Sequence, residues 1–269
     1  MDQLPNLGRE QEMLDIMGVS SMKDLFEDIP VEIRSEGTLP LPPPQTEEEI
    51  LRDAERLLGA NVNLDSRPSF ISAGLARNFV PSMVPMIATR GEFLTSYTPY
   101  QPEVSQGMLQ AMWEFQTMIS ELVGLPISNV SMYDASTSAA EAITCAVRVK
   151  SKKVDMPNTV YISELVPPHR MSVIENYTQG VGIDIRKIPH DEDGFLNLNI
   201  AAEASGSCAI YVEQPNAFGI LDEGLLRLRE VVGDKTAIIV GVDVTSLGIV
   251  EPPGNWGADI VVGEGQPLE

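Results

Sequence analysis

AIYVEQPNAFGILDEGLLRLREVVGDKTAIIVGVD, residues 209–243, is the stretch that decides the fold of this chain. It contains two apolar runs, Ala209–Glu213 and Ala237–Asp243, whose scarcity of alternating polar side chains predicts strands buried on both faces. Between them, Asp222–Val232 predicts a helix that ends before Gly233. A strand, a helix and a second strand in this order indicate a parallel arrangement.

The same alternation continues towards both ends of the chain. Thr159–Ser163 and Asp259–Val262 predict two further strands, and Pro168–Thr178 predicts a helix that begins at a proline and ends before Gly180. We therefore expect an α/β fold with a mostly parallel sheet that is covered by helices on both faces.

The first sixty residues differ from this pattern. Short helical patterns at Gln11–Met17 and Ser21–Phe26 precede the proline-rich segment TLPLPPP, residues 38–44. Gln45–Leu58 then predicts a helix with Thr46 as its N-cap. We expect a helical arm over residues 1–60, loops near the functional site over 61–104, and an α/β domain over 105–269.

Composition excludes several classes of function. A formal net charge of -21 argues against nucleic acid, because its binders need clustered Lys and Arg. No apolar run is long enough to span a bilayer, and Met1–Glu12 is too polar for a secretory signal, so a cytoplasmic protein is expected. Cys145 and Cys208 lie in apolar stretches and are interpreted as buried thiols, and no metal site is predicted.

Ser105–Gly124 predicts a strongly amphipathic helix. Its apolar residues recur at alternating steps of four and three, which is typical of a helix that buries one face. We interpret this stripe as core packing rather than as a cofactor site. It consists of Met108, Met112, Phe115, Ile119 and Leu122.

Two polar segments flank that helix and are candidates for function. The first, RGEFLTSYTPYQPEVSQ (90–106), groups polar side chains around Pro99 and Pro102, and its composition suits a stiffened surface loop and a functional loop equally well. The second is SMYDASTS (131–138), in which Ser138 and Glu141 predict a capping box for a helix over Ala139–Val149. Hydroxyls there either cap the helix or help to bind a phosphate or carboxylate.

Residues 97–142, YTPYQPEVSQGMLQAMWEFQTMISELVGLPISNVSMYDASTSAAEA, closely resemble the P-protein of the glycine cleavage system, in its N-terminal half or alpha-type subunit. Residues 4–34, 211–222 (YVEQPNAFGILD) and 257–268 (GADIVVGEGQPL) resemble it too, so the resemblance covers essentially the whole chain. It implies a fold-type-I, pyridoxal-phosphate (PLP)-dependent transferase-like large domain. The C-terminal small domain of that fold is expected to be missing here.

The resemblance implies an enzyme that decarboxylates glycine and passes the aminomethyl group to the lipoyl arm of H-protein. PLP serves such chemistry as an electron sink. Asp243 occupies the position of the aspartate that pairs with the cofactor ring, yet no lysine follows Lys235, and Gln266 and Pro267 stand where a His-Lys pair is expected. The resemblance thus implies a vestigial cofactor site, with PLP bound covalently by a beta-type partner subunit. That site comprises Ser136, Thr137, Asp243 and Gln266.

On this interpretation the chain contributes to the partner's active site across an interface. Tyr97 and Tyr100 are the predicted catalytic residues, since a phenol near the cofactor can hydrogen-bond or move a proton. Two alternatives stay open: a non-catalytic scaffold or docking subunit, and a stand-alone enzyme that uses a relocated lysine. Further predicted contacts are Thr98, Gln101, Glu103 and Arg90, with Glu92 in support, and the candidate relocated lysines are Lys150, Lys152 and Lys153.

Overall fold

The computed structural model describes residues 5–35, 37, 39–64, 67–70, 77–153 and 156–268, without the side chains of Lys152 and Lys153. These two predicted lysines therefore lie outside the described side chains. The chain divides into two units, residues 1–69 and 70–269. The three-part division predicted from the sequence stays a prediction.

The first unit consists of short helices, as predicted. It contains α1 (Glu10–Met17), 3-10 helices at Met22–Phe26 and Val31–Ile33, and α2 (Glu47–Leu58). Thr46 caps α2: its hydroxyl accepts from the backbone N–H of Glu49, and the Glu49 carboxylate accepts from the backbone N–H of Thr46 at 2.8 Å. The predicted N-cap is confirmed.

The second unit begins with α3 (Met83–Ala88), α4 (Gly91–Leu94), a 3-10 turn at Pro102–Val104 and α5 (Gln106–Val123). α5 ends at Gly124, whose φ of 71° favours glycine, and this confirms the predicted helix. The interpretation of its apolar stripe as core is wrong for this chain. Within this fully described helix only Val123 is buried, and the five stripe residues are half-buried or exposed.

α6 (Ala135–Lys153) leads into a five-stranded parallel sheet with the order β2-β1-β3-β4-β5. The predicted α/β fold with a parallel sheet is confirmed. β1 and β4 have the predicted bounds, β3 is one residue longer, and β5 lies slightly later than predicted. The elements are β1 (Thr159–Ser163), α7 (Pro168–Gln179), β2 (Asp184–Ile188), α8 (Leu198–Ala201), β3 (Ala209–Gln214), α9 (Leu228–Val232), β4 (Ala237–Asp243) and β5 (Ile260–Glu264).

Apolar side chains cover both faces of the sheet, as predicted. One cluster packs the sheet against α6 and α7, through residues such as Ile143, Ile174 and Ile239. The other packs it against α8 and α9, through residues such as Ile210 and Leu228. The strands of the centre are therefore buried on both sides, which explains why their sequences are almost entirely apolar.

Three further observations concern the sequence predictions. Cys208 is buried as expected, whereas Cys145 is exposed on α6, so the interpretation of Cys145 as a buried thiol is wrong. None of the helices in the described ranges is long and apolar enough to cross a membrane. Over the same ranges, no three His, Cys, Asp or Glu side chains are grouped so that they could hold a metal ion.

Candidate functional site

The carboxyl edge of the parallel sheet brings together the residues predicted to form the vestigial cofactor site. Asp243 at the end of β4 is in register with Glu264 at the end of β5, and Gln266 opens the short 3-10 helix that follows. α6 begins at the same edge, because the backbone N–H of Ala135 donates to Glu264 Oε2 at 3.2 Å. Ser136 and Thr137 follow Ala135 in the first turn of α6.

Asp134 caps α6, and this corrects the capping box predicted at Ser138. Asp134 Oδ1 accepts from the backbone N–H groups of Ser136 and Thr137, at 2.8 Å each. Ser138 lies inside the helix, where its hydroxyl donates to the Asp134 carbonyl at 2.7 Å. The helix therefore begins four residues earlier than predicted, and the overlooked signal was Asp134, two residues before the run of small hydroxyl residues.

The first amides of α6 are thus all engaged by carboxylates of the protein itself. The N-terminus of a helix carries partial positive charge and attracts anions. Here Asp134 and Glu264 supply the anions. The hydroxyls of Ser136 and Thr137, predicted to aid a phosphate, lie beside amides that already have acceptors.

Asp243 is exposed and engaged in a local turn. Its Oδ1 accepts from the backbone N–H of Thr245 at 2.9 Å and from the Thr245 hydroxyl at 2.7 Å. Asp243 thus ends β4, at the carboxyl edge of the sheet, as the P-protein resemblance implies. Its carboxylate contacts the turn that follows β4.

The predicted loop, residues 90–106, makes no hydrogen bond to this cluster within the described residues. Its side-chain hydrogen bonds join residues that are close in sequence. The phenolic side chains of Tyr97 and Tyr100 are 97% and 87% exposed. Arg90 and Glu92 form an exposed ion pair at 2.6 Å, in which the hydrogen bond from Arg90 lowers the pKa of Glu92. Thr98 accepts a long bond of 3.4 Å from the Ser105 hydroxyl through its carbonyl.

An open groove of about 510 Å³ lies between this loop and the first turns of α5. Glu103 lies in the groove, while Gln101 immediately precedes the Pro102–Val104 turn and accepts from the Val104 N–H at 3.2 Å. The side of the groove formed by α5 is mixed, since it presents two glutamines together with Leu109 and Trp113. The lining residues are Pro102, Glu103, Gln106, Leu109, Gln110 and Trp113.

Sequence reasoning missed a buried polar group on the face of the sheet covered by α6 and α7. Arg170 Nη1, from the first turn of α7, donates to Glu213 Oε1 at 2.6 Å, and the Tyr211 hydroxyl donates to the same oxygen at 2.9 Å. Burial and the neighbouring Glu213 raise the pKa of Tyr211 well above its ordinary value, so the phenol stays a neutral donor. The available signal was a glutamate in an otherwise apolar strand.

Comparisons with known proteins agree with this architecture. The family described as glycine cleavage system P-protein matches residues 5–269. The chain is 43% identical over 263 residues to a probable glycine dehydrogenase (decarboxylating) subunit 1 of Thermococcus kodakarensis, covering 97% of this chain and 57% of that relative. It is 42% identical over 272 residues to the protein of the same name from Saccharolobus solfataricus, covering 98% and 58%. The chain thus spans under three fifths of the length of these relatives.

Solved structures give the same result. A crystal structure of glycine decarboxylase (P-protein) of the glycine cleavage system, in inhibitor-bound form, matches with a TM-score of 0.83 and 39% identity, over 100% of this chain and 59% of that one. Mouse CSAD matches with a TM-score of 0.60 at 16% identity, over 93% of this chain and 54% of that one, and supports the fold alone. The predicted fold-type-I architecture is confirmed. Because the family match extends over nearly every residue, this chain belongs to the glycine cleavage system P-protein family.

Proposed function

We propose that this chain acts as subunit 1 of a glycine decarboxylase. In this role it helps to form the site where glycine is decarboxylated and where the aminomethyl group passes to lipoyl H-protein. The relatives named glycine dehydrogenase (decarboxylating) subunit 1 support this assignment. The word subunit in their name supports a heteromer with a beta-type partner.

We infer that PLP is held by that partner. The residues at the sheet edge of this chain do not suit the cofactor, because Gln266 and Pro267 stand where the resemblance places a His-Lys pair. Gln266 cannot form an imine, and the α6 amides that would hold a phosphate donate to Asp134 and Glu264. The loop from Arg90 to Glu103 is then the part of this chain that reaches the partner's site.

The observation that carries the proposal is the exposure of the two phenols. Tyr97 and Tyr100 project almost completely into solvent from a segment stiffened by Pro99 and Pro102. Tyrosine is enriched where one protein contacts another, because its ring supplies apolar contact area and its hydroxyl a hydrogen bond. A phenol presented in this way can donate a hydrogen bond or move a proton at a site on another subunit.

The test is turnover of the reconstituted complex of this chain, a beta-type subunit, H-protein and glycine. Tyr97→Phe and Tyr100→Phe remove one oxygen each, and we expect at least one of them to lower kcat by about a hundredfold or more, the range of general acid–base catalysis. Tyr177→Phe, on the surface of α7, is the matched control and should keep the wild-type rate.

Complex formation is measured in parallel by gel filtration. An intact complex with lost turnover supports the catalytic assignment. Near-normal turnover for both variants would instead support a non-catalytic scaffold. Decarboxylation by the isolated chain, with a pyridoxyl group trapped on Lys150, Lys152 or Lys153 by borohydride, would refute the placement of PLP in the partner.

A further inference from the structure

We propose that Asp134 and Glu264 act as built-in anions at the start of α6 and close this position to phosphate-bearing ligands. The proposal concerns the sheet edge of this chain, so it does not depend on what the tyrosine loop does. The P-protein resemblance implies a phosphorylated cofactor for this fold, and the two carboxylates would supply acceptors to the α6 amides in its place.

The start of α6 offers backbone amide donors that a phosphate could use. The first N–H groups of an α-helix have no partner within the helix, and a bound phosphate uses them. In this chain the backbone N–H groups of Ser136 and Thr137 donate to the Asp134 carboxylate at 2.8 Å, and that of Ala135 donates to the Glu264 carboxylate at 3.2 Å. A phosphate would have to displace at least one carboxylate and would be repelled by the other.

The two carboxylates have different origins. Asp134 lies next to its donors in the chain, which is the ordinary position of an N-cap. Glu264 lies 129 residues from Ala135 and reaches α6 from the end of β5. Since a helix can be capped by its local aspartate alone, Glu264 is the residue that adds a second negative charge where an external anion would bind.

The surroundings act in the same direction. Asp243 is the register partner of Glu264, so a third carboxylate ends at the same edge. The chain as a whole carries a formal net charge of -21. The helix dipole alone would attract a free phosphate to the α6 N-terminus. The Asp243 carboxylate and the negative net charge of the chain weaken that attraction.

The experiment measures binding of inorganic phosphate to the whole chain, because phosphate lacks the aldehyde that would react with lysines. Wild type is compared with Glu264→Ala and with Glu192→Ala, which removes the same charge from an exposed turn. Thermal unfolding is followed in phosphate and in sodium chloride of equal ionic strength. The chloride series is essential, since general screening alone stabilises a strongly acidic chain.

We expect a rise in Tm specific to phosphate for Glu264→Ala, and none for wild type or Glu192→Ala. For Glu264→Ala, titration followed by phosphorus NMR should give a dissociation constant for phosphate about tenfold or more below that of wild type. This is the gain expected when the Ala135 N–H is free to form a charge-assisted hydrogen bond with phosphate. The proposal is overturned if wild type already binds phosphate as tightly, or if Glu264→Ala behaves like Glu192→Ala.

Glu264→Gln carries the test if the alanine variant does not fold. Its amide oxygen still accepts from Ala135 but has no charge, so a smaller phosphate-specific rise in Tm is expected. No rise in this variant would also overturn the proposal. Phosphate binding by this chain does not depend on turnover of the complex, so failure of this inference is distinct from failure of the proposed function.

Discussion

Arg170–Glu213 and Arg90–Glu92 are ion pairs of the same chemistry and the same length, 2.6 Å, in opposite surroundings. The side chains of the first pair are 18% and 7% exposed, and those of the second are 57% and 64% exposed. Distance alone therefore does not tell what a pair contributes. Removal of one partner leaves a desolvated charge in the first case and a hydrated one in the second.

The two pairs also differ in what lies around them. The buried pair shares its carboxylate with Tyr211 and lies between α7 and the centre of the sheet. Burial lowers the pKa of Arg170, but Glu213 and Tyr211 raise it more, so the net shift is upward and the arginine stays charged. The exposed pair belongs to the loop that we propose acts on a partner. We infer that the first region supports stability and the second supports function.

The largest effect is expected for Arg170→Met. It leaves Glu213 buried with only the Tyr211 hydroxyl as a donor among the contacts above, and the free energy of unfolding should fall by about 3–5 kcal/mol. Urea unfolding followed by circular dichroism measures the change. Arg227→Met, which removes an arginine from an exposed pair, is the control and should leave the midpoint unchanged.

A double variant sharpens this prediction. Arg170→Met combined with Glu213→Met removes both charges and should recover part of the lost stability, because an apolar pair of similar size often replaces a buried ion pair without loss. The recovery is partial because the buried Tyr211 hydroxyl loses Glu213 as its acceptor. Equal losses in the single and double variants would mean that packing, rather than the unpaired carboxylate, sets the cost.

The next effect is expected at Gly241, on the strand beside the buried pair. A Cβ at this position would lie 2.6 Å from the Tyr211 hydroxyl oxygen and 3.1 Å from Glu213 Cγ. Gly241→Ala should therefore destabilise the fold by about 1–3 kcal/mol through overpacking. Gly180→Ala is the control, because nothing lies within 4 Å of its Cβ position and its backbone is helical.

Tyr211→Phe shows whether the hydroxyl is the obstacle. In that background the added cost of Gly241→Ala should shrink, and a double-mutant cycle measures the coupling between the two positions. Additive effects would indicate that the alanine disturbs β4 itself.

The central strands could be predicted from the sequence because burial on both faces leaves a purely apolar run. β1 and β4 were therefore placed at their observed bounds. β2 was missed because it is an edge strand, DIRKI, in which only Ile188 is buried. The side chains of this particular edge strand are mostly exposed, so neither an apolar run nor a clean alternation marks it.

The candidate site also has one part that can be predicted from the sequence and one part that cannot. Gln266 and Pro267, at the positions where the resemblance places a His-Lys pair, can be identified from the sequence alone, because each is a single residue of a matched segment. The contact between Ala135 and Glu264 is not visible, because it joins positions 129 residues apart that only the folded sheet brings together. The α5 stripe was misjudged for a related reason: periodicity indicates that a face is apolar, and it does not tell what covers that face.

The smallest effect on stability is expected for Arg90→Met. Both partners of this pair are solvated and screened by salt, so the urea midpoint should stay that of wild type. In the reconstituted complex, however, we expect turnover to fall about tenfold or more if Arg90 contacts a charged group at the partner's site, the range of one charge-assisted hydrogen bond. Unchanged stability with reduced turnover would separate the two ion pairs by role. A parallel fall in stability and turnover would instead make the exposed pair a structural one and remove the contrast with Arg170–Glu213.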